Sequence, residues 1–399
     1  MRIKRGGGEV NPYLDDRARV LGGGGGIEVV ASRLRAGRAG LRYSVLRNRR
    51  AGTHGWASLA LAFLTFPSPA LAQSEVRIQG ECAPCRALDV RVVRSLGGPA
   101  VPIEFSVATS VAMDSRGRVA AASLFTPGAL VVFDANGGDV RTVGRAGQGP
   151  GEYGRISRLA SGPDDQLLIY DGRVTLLDAD HRFVRTIRPA ARVGAMTFTP
   201  EGGVTLLAVE LDGGRAPRLH SYAPDGTPVA SFAPPERPLT PDDRDEGSGA
   251  LTPAREGGVW LAVHPRYEVT RFVAGEPVQR MVRDVDWYEP WSGFDPNTGA
   301  GSRPRPRVGS IWEDSDGFVW VASWVADANW VPRAEGQEVA ISDEWDTMIE
   351  VLDAAKGRVV AQLRTDDQLW LLGDGRAYAL REDVVGRILI DILELSLRE

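Results

Sequence analysis

Tryptophan and arginine side chains concentrate in two segments of the chain that carry no strand pattern. The first runs from Asp284 to Arg307 and the second from Trp324 to Trp345. Aromatic and arginine side chains dominate recognition surfaces, and clustered arginines match carboxylate and phosphate groups. We predict that a small polar or acidic molecule, a glycan or a protein binds at Trp287, Trp291, Arg305, Arg307 and Trp330. The alternative is that these aromatic residues only cover long loops.

Residues typical of catalysis are sparse. A G-x-S-x-G nucleophile elbow is absent, and His181, His220 and His264 are scattered over different repeats. A metal-dependent lactonase would need Glu, Asn and Asp side chains converging from several strands. The residues at the starts of the inner strands are instead mostly arginine, serine and glycine: Ser110, Arg155, Arg158, Arg192, Gly194, Ser248, Ser310 and Asp367. We therefore assign no catalytic residue, no metal ligand and no cofactor, with calcium or zinc kept for the enzymatic alternative.

Cys82 and Cys85 are the two cysteines of the chain, in the spacing Cys-Ala-Pro-Cys. Arg86 stands where c-type haem attachment requires histidine. A thioredoxin-like pair would be followed by a helix, whereas Leu88–Leu96 has the pattern of a strand. In an oxidising compartment we predict a local disulfide, and a free or metal-binding dithiol is the alternative.

The first 72 residues have the composition of a leader. Trp56 to Phe66 is an apolar run too short to span a bilayer, and Ala70-Leu71-Ala72 provides the small residues of a signal-peptide cleavage site. We predict cleavage after Ala72, a periplasmic or secreted protein, and no membrane insertion once the leader is removed. The long stretch before the apolar run indicates a mis-assigned start or an unstructured extension.

The body of the chain is acidic. The net charge is −5 overall, but residues 73–399 hold 35 basic and 48 acidic residues, a net charge of −13. Such a body repels phosphate backbones, so nucleic acid is not expected as a partner. We expect a monomer.

A repeated strand pattern sets the fold class. From residue 87 onward, short apolar runs alternate with Asp/Gly turns, as in Ser110–Met113, Val119–Ser123, Leu130–Asp134 and Val140–Val143. Five such units are complete, and the sixth has only three strands before the chain ends. The segment 87–97 resembles the missing outer strand. Because blades must stack to bury their faces, we predict an all-β, six-bladed β-propeller of four-stranded antiparallel blades, closed by this N-terminal strand.

The predicted organisation is a leader at residues 1–72, a short linker with the cysteine pair at 73–86, and a propeller at 87–399. Trp260, Trp312, Trp320 and Trp370 lie on predicted strands and are expected to pack between blades.

Gly144 to Tyr153, with the sequence GRAGQGPGEY, follows the first blade. A phosphate-binding glycine loop would precede a helix, and none is predicted here, so the glycines are expected to form a tight crossing tethered by Glu152 and Tyr153. This segment resembles the signature of exported bacterial six-bladed propellers of the NHL/TolB-like group. The resemblance implies a fold and a compartment but little chemistry. We expect a non-enzymatic, extracytoplasmic binding scaffold, and the alternative is a lactonase- or lyase-like hydrolytic propeller.

Overall fold

Six β-sheets surround a central channel in the computed structural model, which describes residues 73–210, 212–243, 245, 247–293, 302–332 and 343–398. The predicted leader and its cleavage site lie outside these residues. Two short 3-10 turns, Pro163–Asp165 and Pro241–Asp243, lie among the strands. None of the helices described there is long and apolar enough to cross a membrane.

Two N-terminal strands precede the first three blades. These two are β1 (Ser74–Gln79) and β2 (Leu88–Leu96). Blade one contains β3 (Thr109–Met113), β4 (Val119–Ser123), β5 (Leu130–Phe133) and β6 (Val140–Val143). A two-stranded parallel pair follows, β7 (Arg145–Ala146) and β8 (Glu152–Tyr153). Blade two contains β9 (Arg158–Ser161), β10 (Leu167–Tyr170), β11 (Val174–Leu177) and β12 (Phe183–Ile187). Blade three contains β13 (Arg192–Phe198), β14 (Val204–Val209), β15 (Leu219–Tyr222) and β16 (Pro228–Phe232).

The remaining blades use longer strands. Blade four contains β17 (Gly249–Pro253), β18 (Val259–Val263), β19 (Glu268–Val273) and β20 (Glu276–Asp284). Blade five contains β21 (Arg307–Glu313), β22 (Phe318–Ala326), β23 (Trp345–Asp353) and β24 (Arg358–Thr365). Blade six contains β25 (Leu369–Gly373), β26 (Arg376–Glu382) and β27 (Ile388–Leu397), with β2 as its outer strand. These sheets confirm the predicted six-bladed propeller.

Apolar side chains fill every interface between neighbouring blades. Each described hydrophobic cluster joins two adjacent blades, so six clusters account for six interfaces. The middle strands are buried on both faces, which explains why β4, β5 and β10 read as almost continuous apolar runs. Burial on both faces also explains why no blade is stable alone.

The last interface closes through β2. This strand pairs antiparallel with β27, from Leu88 opposite Leu397 to Leu96 opposite Ile390. Its Arg94 side chain then crosses to blade one, where it donates to the carbonyl oxygens of Gly117, Asp134 and Ala135. One strand therefore completes blade six and ties it to blade one.

The segment 73–86 is more structured than the predicted linker. Its first half forms β1, which pairs in parallel with β20 and adds a fifth strand to blade four. Ser74 lies opposite Gln279 at one end of this pairing, and Gln79 lies opposite Asp284 at the other. Cys82 and Cys85 follow, at disulfide distance, with Cα atoms 5.2 Å apart. The chain then touches blade five, where the Arg86 amide donates to Val360 O (2.9 Å), before it enters β2. Residues 74–96 thus form a belt across blades four, five and six.

A buried ion pair holds this belt to the ring. Arg283 of β20 and Glu350 of β23 are 2.8 Å apart, with side-chain exposures of 1% and 0%. Arg283 also donates to Ile78 O in β1 at 3.1 Å. Removing one partner of such a pair leaves an uncompensated buried charge and costs about 3–5 kcal/mol.

The glycine-rich segment Gly144–Tyr153 is a hydrogen-bonded crossing between blades. The Glu152 carboxylate accepts from the amides of Gln148 (3.1 Å) and Gly149 (2.9 Å) and from Arg145. Tyr153 is buried under Gly144, where a Cβ would lie 2.2 Å from the tyrosine ring. The segment therefore fixes the chain that continues to Arg155.

Replacing Arg94 with alanine tests ring closure. The variant loses charge-assisted bonds to three carbonyl oxygens of blade one, so the free energy of unfolding should fall by about 2 kcal/mol. Arg91→Ala is the matched control, because Arg91 is 73% exposed on the same strand and its ion pair is with Glu394 of its own blade. Urea unfolding of the full chain measures both. Equal free energies of unfolding for the two variants would show that Arg94 does not stabilise the contact between blades six and one.

Candidate functional site

An apolar ring divides the central channel into two chambers. Each inner strand contributes a residue at the same position that lines both chambers: Val111, Leu159, Met196, Leu251, Ile311 and Leu371. In blade six the next residue, Leu372, also lines both. The residue before each ring position lines only the upper chamber, and the residue after it lines the lower one. The upper chamber has a volume of about 700 Å³ and the lower one about 420 Å³. Volumes of about 300–1,000 Å³ are typical of small-molecule sites.

Three arginines line the upper chamber from blades two and three and from the crossing before blade two. Arg155, Arg158 and Arg192 remain accessible to solvent inside the channel. Arg158 donates to the carbonyl oxygens of Gly194 (3.0 Å) and Ser157 (2.8 Å). Within the described residues, the side chains of Arg155 and Arg192 have no hydrogen-bond or ion-pair partner. The chamber therefore carries uncompensated positive charge.

The surroundings of Arg158 support this conclusion. Burial lowers the pKa of Arg158, and the positive charge of Arg192 lowers it further. One carboxylate, Asp171, lines the chamber, but its side chain is 2% exposed, lies 3.6 Å from Arg173, and accepts the Gly154 amide. An anion entering the chamber would thus meet guanidinium groups that no carboxylate of the described residues neutralises.

Aromatic residues line the chamber from blades five and six. Trp324 meets Trp370 edge-on at 5.2 Å, and Trp370 stacks on Tyr378 at 4.9 Å with an interplanar angle of 9°. The Trp324 indole donates to Leu369 O (2.8 Å), which fixes its orientation. A Cβ at Gly309 would lie 2.3 Å from that indole, so only glycine leaves room for it.

His264 adds a neutral polar group to the same wall. Burial and the charges of Arg307 and Arg158 lower its pKa to about 4. Its Nδ1 lies 2.5 Å from Val308 O. Because a carbonyl oxygen only accepts, Nδ1 carries the proton, and Nε2 is the unprotonated nitrogen near neutral pH.

The structure brings three of the five predicted ligand residues together. Arg305 and Arg307 lie 5.6 and 5.9 Å from the ring of Trp291, and Arg307 also lies 5.0 Å from the ring of Trp345. The Trp291 amide donates to Pro265 O (3.1 Å), which places this group beside His264. None of the five residues lines the upper chamber itself.

The other two predicted residues lie elsewhere. Trp287 packs against Tyr267 and Tyr288, with ring centroids 5.8 Å apart in both cases, next to the cluster between blades four and five. Trp330 lies in the loop after β22, and its amide donates to Asp327 O (3.1 Å). Both loops leave their sheets on the upper-chamber side, because β21 begins there and the antiparallel β22 ends there.

Metal ligands do not cluster in the part of the chain that the structure describes. No group of three or more His, Cys, Asp or Glu residues there is arranged to hold an ion. His264 lies at the channel, whereas His181 and His220 lie in a turn of blade two and on β15 of blade three.

Sequence reasoning missed the aromatic wall. All four tryptophans of the predicted strands pack at blade interfaces, as expected: Trp260, Trp312, Trp320 and Trp370. Trp312 and Trp370, however, are only partly buried there and also line the lower and upper chambers. Trp370 precedes the ring residue Leu371, as Arg158 precedes Leu159. Aligning the six inner strands by this position would have revealed it.

Comparison with solved structures supports the fold. A protein from Bacteroides fragilis that is thought to be exported aligns with a TM-score of 0.56 at 11% identity, over 82% of this chain and 100% of its own. A member of the DUF4221 family from Bacteroides vulgatus aligns with a TM-score of 0.53 at 9% identity, over 78% and 99%. A streptogramin B lyase aligns at 0.44 and 11%, over 78% and 98%. At these identities the likeness extends to the fold alone.

No protein-family model matches the sequence, and no curated protein matches it. The resemblance of Gly144–Tyr153 to the NHL/TolB-like group stays a prediction.

The low pKa of His264 predicts a pH-dependent stability. The unfolded chain binds this proton near pH 6.5 and the folded chain only near pH 4, so stability falls as the pH drops through this window. At pH 5 the loss should be about 2 kcal/mol relative to pH 7.5. His181, whose pKa burial and Arg141 also lower to about 4, should add a similar loss.

Urea unfolding at pH 7.5 and pH 5 checks this prediction. His264→Gln keeps an amide donor for Val308 O but does not titrate, so it should remove about half of the pH dependence. An unaltered dependence in His264→Gln would show that His264 is protonated in the folded protein at pH 5.

Proposed function

We propose that this protein is an extracytoplasmic binding protein that holds a small acidic molecule in the upper chamber of its propeller. The observation that carries the proposal is the pair Arg155 and Arg192, whose side chains face one cavity without a partner among the described residues. Arginine pairs bind carboxylate and phosphate groups through parallel hydrogen bonds. Arg158 adds a third positive charge beside them.

The charge distribution supports the same ligand class. Residues 73–399 carry a net charge of −13, yet the chamber is basic. A basic cavity in an acidic body attracts small anions locally, while the outer surface repels large polyanions. The acidic partner is therefore a small molecule, and nucleic acid is not proposed.

The loops of blades four and five extend the site beyond the chamber. Trp291, Arg305 and Arg307 lie beside His264, whose side chain lines the chamber wall. We assign these three residues, with Trp330 on the neighbouring loop, to the rim that an entering anion meets first. Trp287 is assigned to packing, because its contacts are to Tyr267 and Tyr288.

The proposed extracytoplasmic location rests on the leader sequence rather than on the propeller. The apolar run before Ala72 and the disulfide distance of Cys82 and Cys85 both favour export. The B. fragilis structure, thought to be an exported protein, has the same fold. A monomeric periplasmic or secreted protein is the form that we propose.

Titration with inorganic phosphate, followed by calorimetry at low salt, tests the proposal. Arg155→Ala and Arg192→Ala should each weaken phosphate binding about tenfold or more, because each removes charge-assisted hydrogen bonds. Arg182→Ala is the matched control: Arg182 is 77% exposed and pairs with Asp180 outside the channel. Its affinity for phosphate should equal that of the wild type.

Two results would contradict the proposal. Equal phosphate affinity in all four proteins would place the binding site outside the chamber, and no binding by the wild type at millimolar phosphate would remove the anion site. The hydrolytic alternative has its own signature, since a metal-dependent hydrolase would convert an added lactone to product and lose this activity with a chelator.

A further inference from the structure

The charged and aromatic residues of the upper chamber lie on opposite sides. Its charged lining side chains, Arg155, Arg158, Asp171 and Arg192, come from blades two and three and from the crossing before blade two. Blades four to six contribute no charged side chain to the described lining, because His264 is neutral near pH 7. A ligand in the chamber thus meets positive charge on one side and ring faces on the other.

The aromatic side is not explained by packing alone. Trp324 is fixed by a hydrogen bond from its indole to Leu369 O, and Tyr378 is fixed by burial at the interface between blades six and one. Trp370 stacks one face on Tyr378, meets Trp324 edge-on, and lines the cavity. Ring faces of this kind stack with flat rings at centroid distances of about 4.5–7 Å.

The apolar ring closes the chamber from below. Leu159, Met196, Ile311 and Leu371 are among its members, and none offers a hydrogen bond. A sugar ring placed on this floor would lose hydrogen bonds to water without replacement, whereas an aromatic ring would lose none. The floor therefore favours an aromatic group over a glycan.

From this division we infer that the ligand is an aromatic acid: a flat ring against Trp370, with a carboxylate or phosphate group toward Arg155 and Arg192. The inference rests on the proposed function, since it names the class of acid that the same chamber holds. The arginines bind the anionic group of any such ligand. The aromatic wall makes the chamber bind anions with a flat ring more tightly than anions without one.

Phenyl phosphate, inorganic phosphate, phenol and glucose 6-phosphate are the probes that test the inference. Wild-type protein should bind phenyl phosphate about tenfold or more tightly than phosphate, because the phenyl ring stacks on an aromatic face. It should also bind phenyl phosphate more tightly than glucose 6-phosphate, whose hydroxyl groups lose hydrogen bonds to water on the apolar floor. Phenol should bind more weakly than phenyl phosphate, because it lacks the anionic group.

Trp370→Ala should reduce the affinity for phenyl phosphate to near that for phosphate and leave phosphate affinity unchanged. Trp312→Ala is the matched control, since Trp312 is a partly buried tryptophan on the other side of the apolar ring. It should keep the preference for phenyl phosphate. Trp370→Leu, which retains apolar volume, repeats the test if the alanine variant does not fold.

The outcomes separate the two proposals. If phosphate binds through Arg155 and Arg192 but phenyl phosphate binds no more tightly, the chamber holds anions and the aromatic inference is wrong. If glucose 6-phosphate binds as tightly as phenyl phosphate, the chamber does not select ligands with a flat ring and the aromatic inference is wrong. If neither phosphate nor phenyl phosphate binds, the proposed function fails and the inference fails with it.

Discussion

Closure of the ring by β2 is the constraint on which the rest of the structure depends. A blade is buried on both faces, so each of the six blades needs a neighbour on each side. Blade six obtains its outer strand from the other end of the chain, and Arg94 of that strand bonds to blade one. The inner strands face one another only in a closed ring, so the chambers and their linings exist because this strand is in place.

The belt formed by residues 74–96 contacts three of the six blades, so the N-terminal segment holds half of the ring together. It adds a strand to blade four, touches blade five and completes blade six. The pair Arg283–Glu350 lies beneath it with both charges buried, and Arg283 also holds Ile78 O of the belt. A buried charge that loses its partner strongly destabilises the fold. The pair therefore favours the one arrangement in which β20, β23 and β1 meet.

A closed ring brings residues from distant repeats to one cavity, and this explains what the sequence could and could not predict. The turn pattern and the missing outer strand predicted the blades and their closure. Ser110, Arg155, Arg158 and Arg192 were recognised at the starts of inner strands, and they were judged only as poor calcium ligands. Their convergence depends on contacts between residues far apart in sequence. The β1 strand was taken as linker, because its segment Ser74–Gln79 is short and polar and pairs with the outer edge of blade four.

Trp370 illustrates the same limit. An apolar residue on an inner strand can point to an interface or into the channel, and the choice depends on its position relative to Leu371. Trp260 and Trp320 are buried between blades, whereas Trp370 lines the channel. The chamber thus combines arginines that no described carboxylate neutralises with aromatic rings that also pack at the interface between blades six and one.

A crystal structure of the protein with phenyl phosphate tests the account most directly, because it reports both the position and the orientation of the ligand. We expect phenyl phosphate to bind in the upper chamber. Its phosphate oxygens should lie within hydrogen-bond distance of Arg155 and Arg192, and its phenyl ring should lie against Trp370. Phenyl phosphate bound only outside the channel, or lying in the chamber with its phosphate away from both arginines, would contradict it.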